Sequence, residues 1–112
     1  MKAKSAKAKG RKLQNYVVKE LRKAYPELDD DDIKSQIMGV SGEDVVFSPL
    51  AKRLIGLSFE CKNQERLNLW DSLEQAEKNC DERTPVLVFK RNRSKTYAAI
   101  PFKFLIKLLS TY

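Results

Sequence analysis

Residues 53 to 70 read RLIGLSFECKNQERLNLW, and the centre of this stretch, Ser58-Phe59-Glu60-Cys61-Lys62, sets an acid and a base two residues apart inside a strand-like run. Side chains on a strand alternate between faces, so Phe59 and Cys61 belong to one side and Glu60 and Lys62 to the other. The apolar pair can pack a core, while the charged pair is presented together, about 7 Å apart along the strand. Alone, such a pair is ordinary surface design. Its neighbour in sequence changes the reading. The run SGEDVVF (41–47) brings in Asp44 directly after a glycine turn, where the backbone is free to bend and a carboxylate can be aimed. Two acids on adjacent strands plus a lysine form the smallest set that binds a divalent metal against a phosphate. Hard cations such as Mg²⁺ take oxygen ligands, often only one or two protein carboxylates, with water and substrate completing the shell. The lysine can orient or help deprotonate an attacking water and offset developing negative charge.

Outward from this strand, predicted over 54–62, the chain divides into short elements. Leu13, Tyr16, Val17, Leu21 and Ala24 recur at helical spacing from Arg11 to Tyr25, and Pro26 ends the pattern. Residues 1–9, alternating Lys with Ala and Ser, are expected to be a disordered basic arm. The acidic run Glu27 to Asp32 reads as a helix start or solvated loop, because it lacks calcium-loop spacing. Strands are predicted over 33–38 and 43–47 around a Gly39–Gly42 turn, with a turn or short helical piece over 49–53. A helix over 68–80, strands over 84–90 and 95–100 joined by the basic turn RNRS, and a closing helix over 102–109 complete the chain. The expected order is α-β-β-β-α-β-β-α: one mixed α/β (α+β) domain, 10–112, with a central mixed sheet flanked by helices.

Composition narrows the chemistry. The 112 residues carry 22 Lys/Arg, 15 Asp/Glu and no histidine, for a net charge of +7. Acid–base work at neutral pH therefore falls to carboxylates, lysine, cysteine or a metal-bound water, and metal ligands to oxygen. The charge is uneven: residues 1–12 and 90–112 each hold six Lys/Arg and no acid, leaving an acidic middle. Basic ends attract polyanions, nucleic acid above all; a solvated surface with a free tail is the plainer alternative. The candidate DNA contacts are Lys7, Lys9, Arg11, Lys12, Lys90, Arg91, Arg93 and Lys95. The two cysteines, Cys61 and Cys80, read as free thiols. With neither an apolar leader nor a membrane-length run, a cytoplasmic protein is expected.

The helix over 68–80 adds an independent pattern. Leu69, Leu73, Ala76 and Cys80 line one face, and beside them run Asn68, Ser72, Gln75 and Asn79. Such an amide-and-hydroxyl row suits a helix overlooking a polar cleft, or an ordinary boundary row. On the first helix, Glu20 falls on the apolar face and Gln14 flanks it. A buried carboxylate there needs a partner or a metal, whereas a boundary Glu reaches water.

In this order, GRKLQNYVVKEL (10–21), MGVSGEDVVFSP (38–49), SFECKNQERLNLWDSLEQAEKN (58–79) and TPVLVFKRNRS (84–94) resemble the PD-(D/E)XK nuclease superfamily. More narrowly, they look like its small phage-encoded members related to Holliday junction resolvases. The resemblance implies a restriction-endonuclease-like core and an Mg²⁺- or Mn²⁺-dependent endonuclease. Asp44 and Glu60 would be the metal-binding acids, Lys62 the catalytic lysine and Gln75 the helix glutamine beside them. The backbone carbonyl of Cys61 would be a further metal ligand. Gly39, Ser41 and Gly42 would position Asp44 and contact phosphate. Archaeal-type resolvases carry an acid where this chain has Gln14; the change could weaken one metal site, act through a water, or be offset by Glu20. The metal in such enzymes polarises the phosphoryl oxygen, generates the nucleophile and stabilises the leaving oxygen.

The expected activity is thus phosphodiester hydrolysis, selective for branched or junction DNA because no second domain reads bases. Symmetric resolution of a junction would require a homodimer, with Trp70 and the helix FKFLIKLL as apolar surface for it. The alternatives are a nicking nuclease with little structure preference and a non-catalytic nucleic-acid-binding module on the same fold. A polybasic membrane anchor lacks a lipidation motif.

Overall fold

The computed structural model describes residues 3–111. The first helix, α1 (Ala3–Ala24), begins well before the expected Arg11 and absorbs most of the predicted basic arm. The reason is composition: alternating Ala and Lys are strong helix formers, and a single Gly10 costs only about 1 kcal/mol without breaking the helix. Residues 1 and 2 lie outside the described part. Leu13, Gln14, Val17 and Val18 form the buried stripe of α1. At its C-terminal end, the Arg22 guanidinium donates to the carbonyl of Ile33 at 2.8 Å and to that of Asp30 at 3.0 Å, tying the helix to the segment that follows.

A 3-10 turn at Asp30–Asp32 occupies the acidic run. Here Asp32 accepts from the Ser48 hydroxyl at 2.6 Å and from the Asp29 N–H at 2.8 Å, and these bonds hold its carboxyl below the ordinary range. Its function is local architecture. Two short strands follow, β1 (Ile33–Ser35) and β2 (Val45–Phe47), paired antiparallel with Ile33 opposite Phe47. Both are shorter than expected.

The predicted strand over 54–62 starts late because a helix precedes it. Ser48 caps α2 (Pro49–Ile55) by accepting from the Ala51 N–H, Pro49 fits its first turn, and Gly56 at φ 67° closes it. The left-handed φ favours glycine there. The chain then runs as β3 (Leu57–Asn63), α3 (Leu69–Asn79) and β4 (Thr84–Lys90). Strands β3 and β4 pair in parallel with α3 as the crossover, and β5 (Tyr97–Ala99) adds antiparallel to β4. Helix α4 (Phe102–Ser110) closes the chain with no buried residue.

The strands form two sheets, β1-β2 and β3-β4-β5, where one was expected. Direct backbone bonding between them comes from the Asp44 N–H, which donates to the Phe59 carbonyl at 3.1 Å. In the larger sheet, the middles of β3 and β4 are buried on both faces, whereas β5 is largely exposed. Phe59, Cys61, Val86 and Val88 pack with Leu13, Val17 and Val18 of α1 and with Phe47 of β2 in one core. Glu60 and Leu87, cross-strand partners pointing the other way, lie on the face that α3 covers. The architecture is α+β, and no helix among the described residues is long and apolar enough to cross a membrane.

Candidate functional site

The alternation of β3 separates Cys61 from Glu60, and burial differs from the half-exposed surface a charged pair usually occupies. Glu60 is 3% exposed and Lys62 remains partly open to solvent. The Lys62 ammonium approaches Glu60 Oε2 at 3.9 Å, and Glu60 Oε1 is buried without a hydrogen-bond partner. An unpartnered buried carboxylate oxygen is costly. Burial pushes the Glu60 carboxyl up to about 7, the Asp44 charge adds to the rise, and Lys62 and Asn79 oppose it.

Asp44 reaches the same place from the β1-β2 hairpin. Its backbone N–H bonds Phe59 and its side-chain Oδ2 accepts from the Cys61 N–H at 2.7 Å. The carboxylate therefore takes the bond that a neighbouring strand would otherwise supply, and the strand edge is closed by an acidic side chain. Burial raises the Asp44 carboxyl against the pull of the Cys61 N–H and Lys62. Because the N–H and C=O of one residue project to the same strand edge, the Cys61 carbonyl faces the edge that Asp44 occupies. The Cys61 thiol sits in the core on the opposite side and is pushed up by burial and by both carboxylates, which leaves it neutral and structural.

Three supporting groups fix this arrangement. Gln14, buried on α1, donates through Nε2 to the Asp44 carbonyl at 2.8 Å, with the Ser35 hydroxyl at 3.2 Å and the Gln36 carbonyl at 3.3 Å. Position 14 thus faces oxygen acceptors, which an amide N–H₂ satisfies and a carboxylate would repel. Asn79, the last residue of α3, donates to the Gly42 carbonyl at 3.3 Å and steadies the charged form of Glu60. Glu43 points away from Asp44 and accepts from Arg83 at 2.7 Å and from the Ser58 hydroxyl at 3.0 Å. Arg83 also bonds the Leu57 carbonyl and Asp81, so the clamp pins the residue before Asp44 onto β3. Neither Glu43 nor Arg83 was expected, since they lie forty residues apart and nothing local marks them.

Other expected residues lie elsewhere. Gln75 is exposed, beside Asp71, Glu74 and Lys78 on the outer side of α3; Asn79, one turn on, makes the contact with the hairpin. The polar row divides by position along the helix: Asn68 caps it, accepting from the Asp71 N–H, and Ser72 donates to the Asn68 carbonyl. Glu20 is half exposed and pairs with Lys23 at 3.3 Å, so it reaches water as a boundary residue. Ser41 and Gly42 are exposed in the hairpin turn, where Gly39 and Gly42 take φ of 88° and 106°.

The two basic ends of the chain meet. Lys9, Lys12, Lys90, Arg93 and Lys95 line one groove of about 480 Å³, and Tyr16 belongs to the same lining. Lys7, Arg11 and Arg91 are exposed outside its lining. The groove reaches β3 at Asn63, the residue after Lys62, whose side chain donates to the Lys9 carbonyl at 3.2 Å. The carboxylates themselves lie outside that groove.

No protein-family model, curated protein or solved structure matches this chain. Among the described residues no group of three or more Asp, Glu or Cys side chains could hold a metal. The pair and the Cys61 carbonyl nevertheless fit a hard cation that completes its shell with water and phosphate. The unpartnered Glu60 Oε1, beside a second carboxylate, is the atom such a cation would satisfy.

Proposed function

We propose that the chain is a metal-dependent DNA endonuclease of the PD-(D/E)XK type, acting on branched DNA in the manner of a Holliday junction resolvase. The observation that carries this reading is the meeting of Asp44 and buried Glu60 at Lys62, with one Glu60 oxygen lacking a partner. The α-β-β-α-β-α-β succession that delivers these residues supports a restriction-endonuclease-like core.

Asp44, Glu60 and the Cys61 carbonyl are the groups that would hold Mg²⁺ or Mn²⁺. Such an ion, when bound, supplies Lewis-acid polarisation of a phosphoryl oxygen and lowers the pKa of water. Lys62 places a positive charge and N–H donors beside Glu60, where they orient the attacking water and offset the charge that grows on the phosphate. Gln14 and the Glu43–Arg83 clamp hold Asp44 against β3, which keeps the acids in register with each other. The basic groove supplies affinity through phosphates and carries no sequence information. Symmetric resolution calls for two such sites in a homodimer, for which the exposed apolar side chains of α4, Phe102, Ile106 and Leu109 among them, offer surface.

A second reading, a non-catalytic nucleic-acid-binding module, is favoured by the groove lying apart from the carboxylates. Cleavage of labelled four-way junction, fork, duplex and single strand, with Mg²⁺ and with EDTA, separates the two. Wild type cuts the branched substrates in a metal-dependent way, and Lys62→Ala loses cutting by about a hundredfold or more while binding survives. Full activity in Lys62→Ala, or none in wild type on any substrate, rejects the nuclease.

A further inference from the structure

We propose that the basic groove is a pocket for one unpaired nucleotide of a DNA substrate, its base stacked on Tyr16 and its flanking phosphates held by Lys12, Arg93 and Lys95. The inference rests on the reading of the chain as a DNA-acting protein and adds to it the part of the substrate that this groove takes. Tyr16 is 49% exposed although it stands on the helix that packs the core, directly over Lys12 and beside the buried Leu13. A half-exposed aromatic ring in a lining rich in cations is a platform on which a base can stack, and stacking is indifferent to sequence because every base has a π-face.

The lining contains five cations and no acid, in a chain with 15 Asp/Glu. Its volume, about 480 Å³, lies within the roughly 300–1,000 Å³ of sites that enclose a small organic ligand. A duplex presents a convex backbone to protruding side chains, whereas a concave pocket of this size admits a nucleotide free to rotate out of a helix. The far wall is held in shape before any ligand arrives. The Arg91 N–H donates to the Ser94 hydroxyl at 3.0 Å, the Ser94 N–H to the Arg91 carbonyl at 3.2 Å, and Arg93 sits at φ 64°. The Asn92 N–H is fixed on Glu65 at 2.6 Å, and Asn63 ties the near wall at Lys9 to β3. The pocket thus joins α1 to the strand that bears Glu60 and Lys62, so an unpaired nucleotide seated in it would lead its neighbouring phosphates toward that strand.

The test is binding of fluorescent oligonucleotides by anisotropy in EDTA, where no cutting is read; a chain that never cleaves DNA can still pass, and a nuclease without this pocket fails. Tyr16→Ala is expected to weaken binding of a single-stranded oligonucleotide about tenfold. Tyr16→Phe binds like wild type, and duplex affinity changes less than twofold. The wild-type protein supplies an independent arm: in an oligonucleotide trimmed to the shortest length that binds, which leaves one register, removing a single base at successive positions yields one position with a similar loss. Equal losses on single strand and duplex, an unchanged single-strand affinity in Tyr16→Ala, or a base-removal scan flat at every position each overturns the proposal. The scan does so without requiring that any variant fold.

Discussion

A carboxylate with one oxygen beyond any donor, and a second carboxylate beside it, is costly to ionise, and Glu60 bears that cost in the middle of β3. Its folded value of about 7 lies above the ordinary 4.5, so the folded chain holds a proton that the unfolded chain releases. The stabilisation is full below the ordinary value and is lost as pH rises through the folded one, an effect of up to about 3 kcal/mol. Metal-free protein should therefore lose stability between pH 5 and pH 8. In Glu60→Gln, where position 60 no longer ionises and Asp44 still does, the part of the slope due to Glu60 should vanish. Urea melts at four pH values in EDTA measure it; parallel profiles for the two proteins would show that Glu60 does not hold the proton. Asp44, Glu60 and Lys62 were legible in sequence because strand alternation and a glycine turn are local rules. The depth of Glu60 was not, since its burial depends on α3 crossing over the sheet.

At the scale of elements, the hairpin is joined to β3 by few bonds, and the Glu43–Arg83 clamp bears much of that junction. Both side chains are nearly buried, at 12% and 8% exposure. Arg83→Met should destabilise by about 3–5 kcal/mol, because it strands a buried Glu43 charge, and Glu43→Gln added to it should recover most of the loss. Denaturant melts of the two single variants and the double variant check this; additive losses would contradict a paired clamp. The strand β4 matches its predicted bounds, since an apolar run between turn residues marks a doubly covered strand. The split into two sheets was hidden, because a carboxylate at Asp44 replaces a ladder bond to Cys61, and no periodicity records that. Gln75 and Asn79 share one row on a helical wheel, but a wheel discards height along the axis, and height is what brings Asn79 to the hairpin.

At the scale of the molecule, folding gathers five basic residues from the two ends of the chain into one groove and leaves Asp44 and Glu60 outside it. Each lysine that meets a phosphate should contribute about 0.7 to 0.9 to the slope of log affinity against log salt. Lys12→Ala and Lys95→Ala should each lower the slope by that amount without altering metal dependence, as read by anisotropy from 50 to 300 mM salt. An unchanged slope would separate the groove from DNA. The central claim, that Asp44 and Glu60 together hold a divalent ion, is tested most directly by calorimetric titration of Mn²⁺ at pH 6 and pH 8. Asp44→Asn is the decisive variant, because its side-chain oxygen can still accept from the Cys61 N–H and preserve the hairpin junction. Wild type should bind at pH 8, more weakly at pH 6, releasing protons near pH 7 as the pair loses its shared proton, and Asp44→Asn should lose the binding. Absence of binding in wild type, or equal binding in Asp44→Asn, would contradict it.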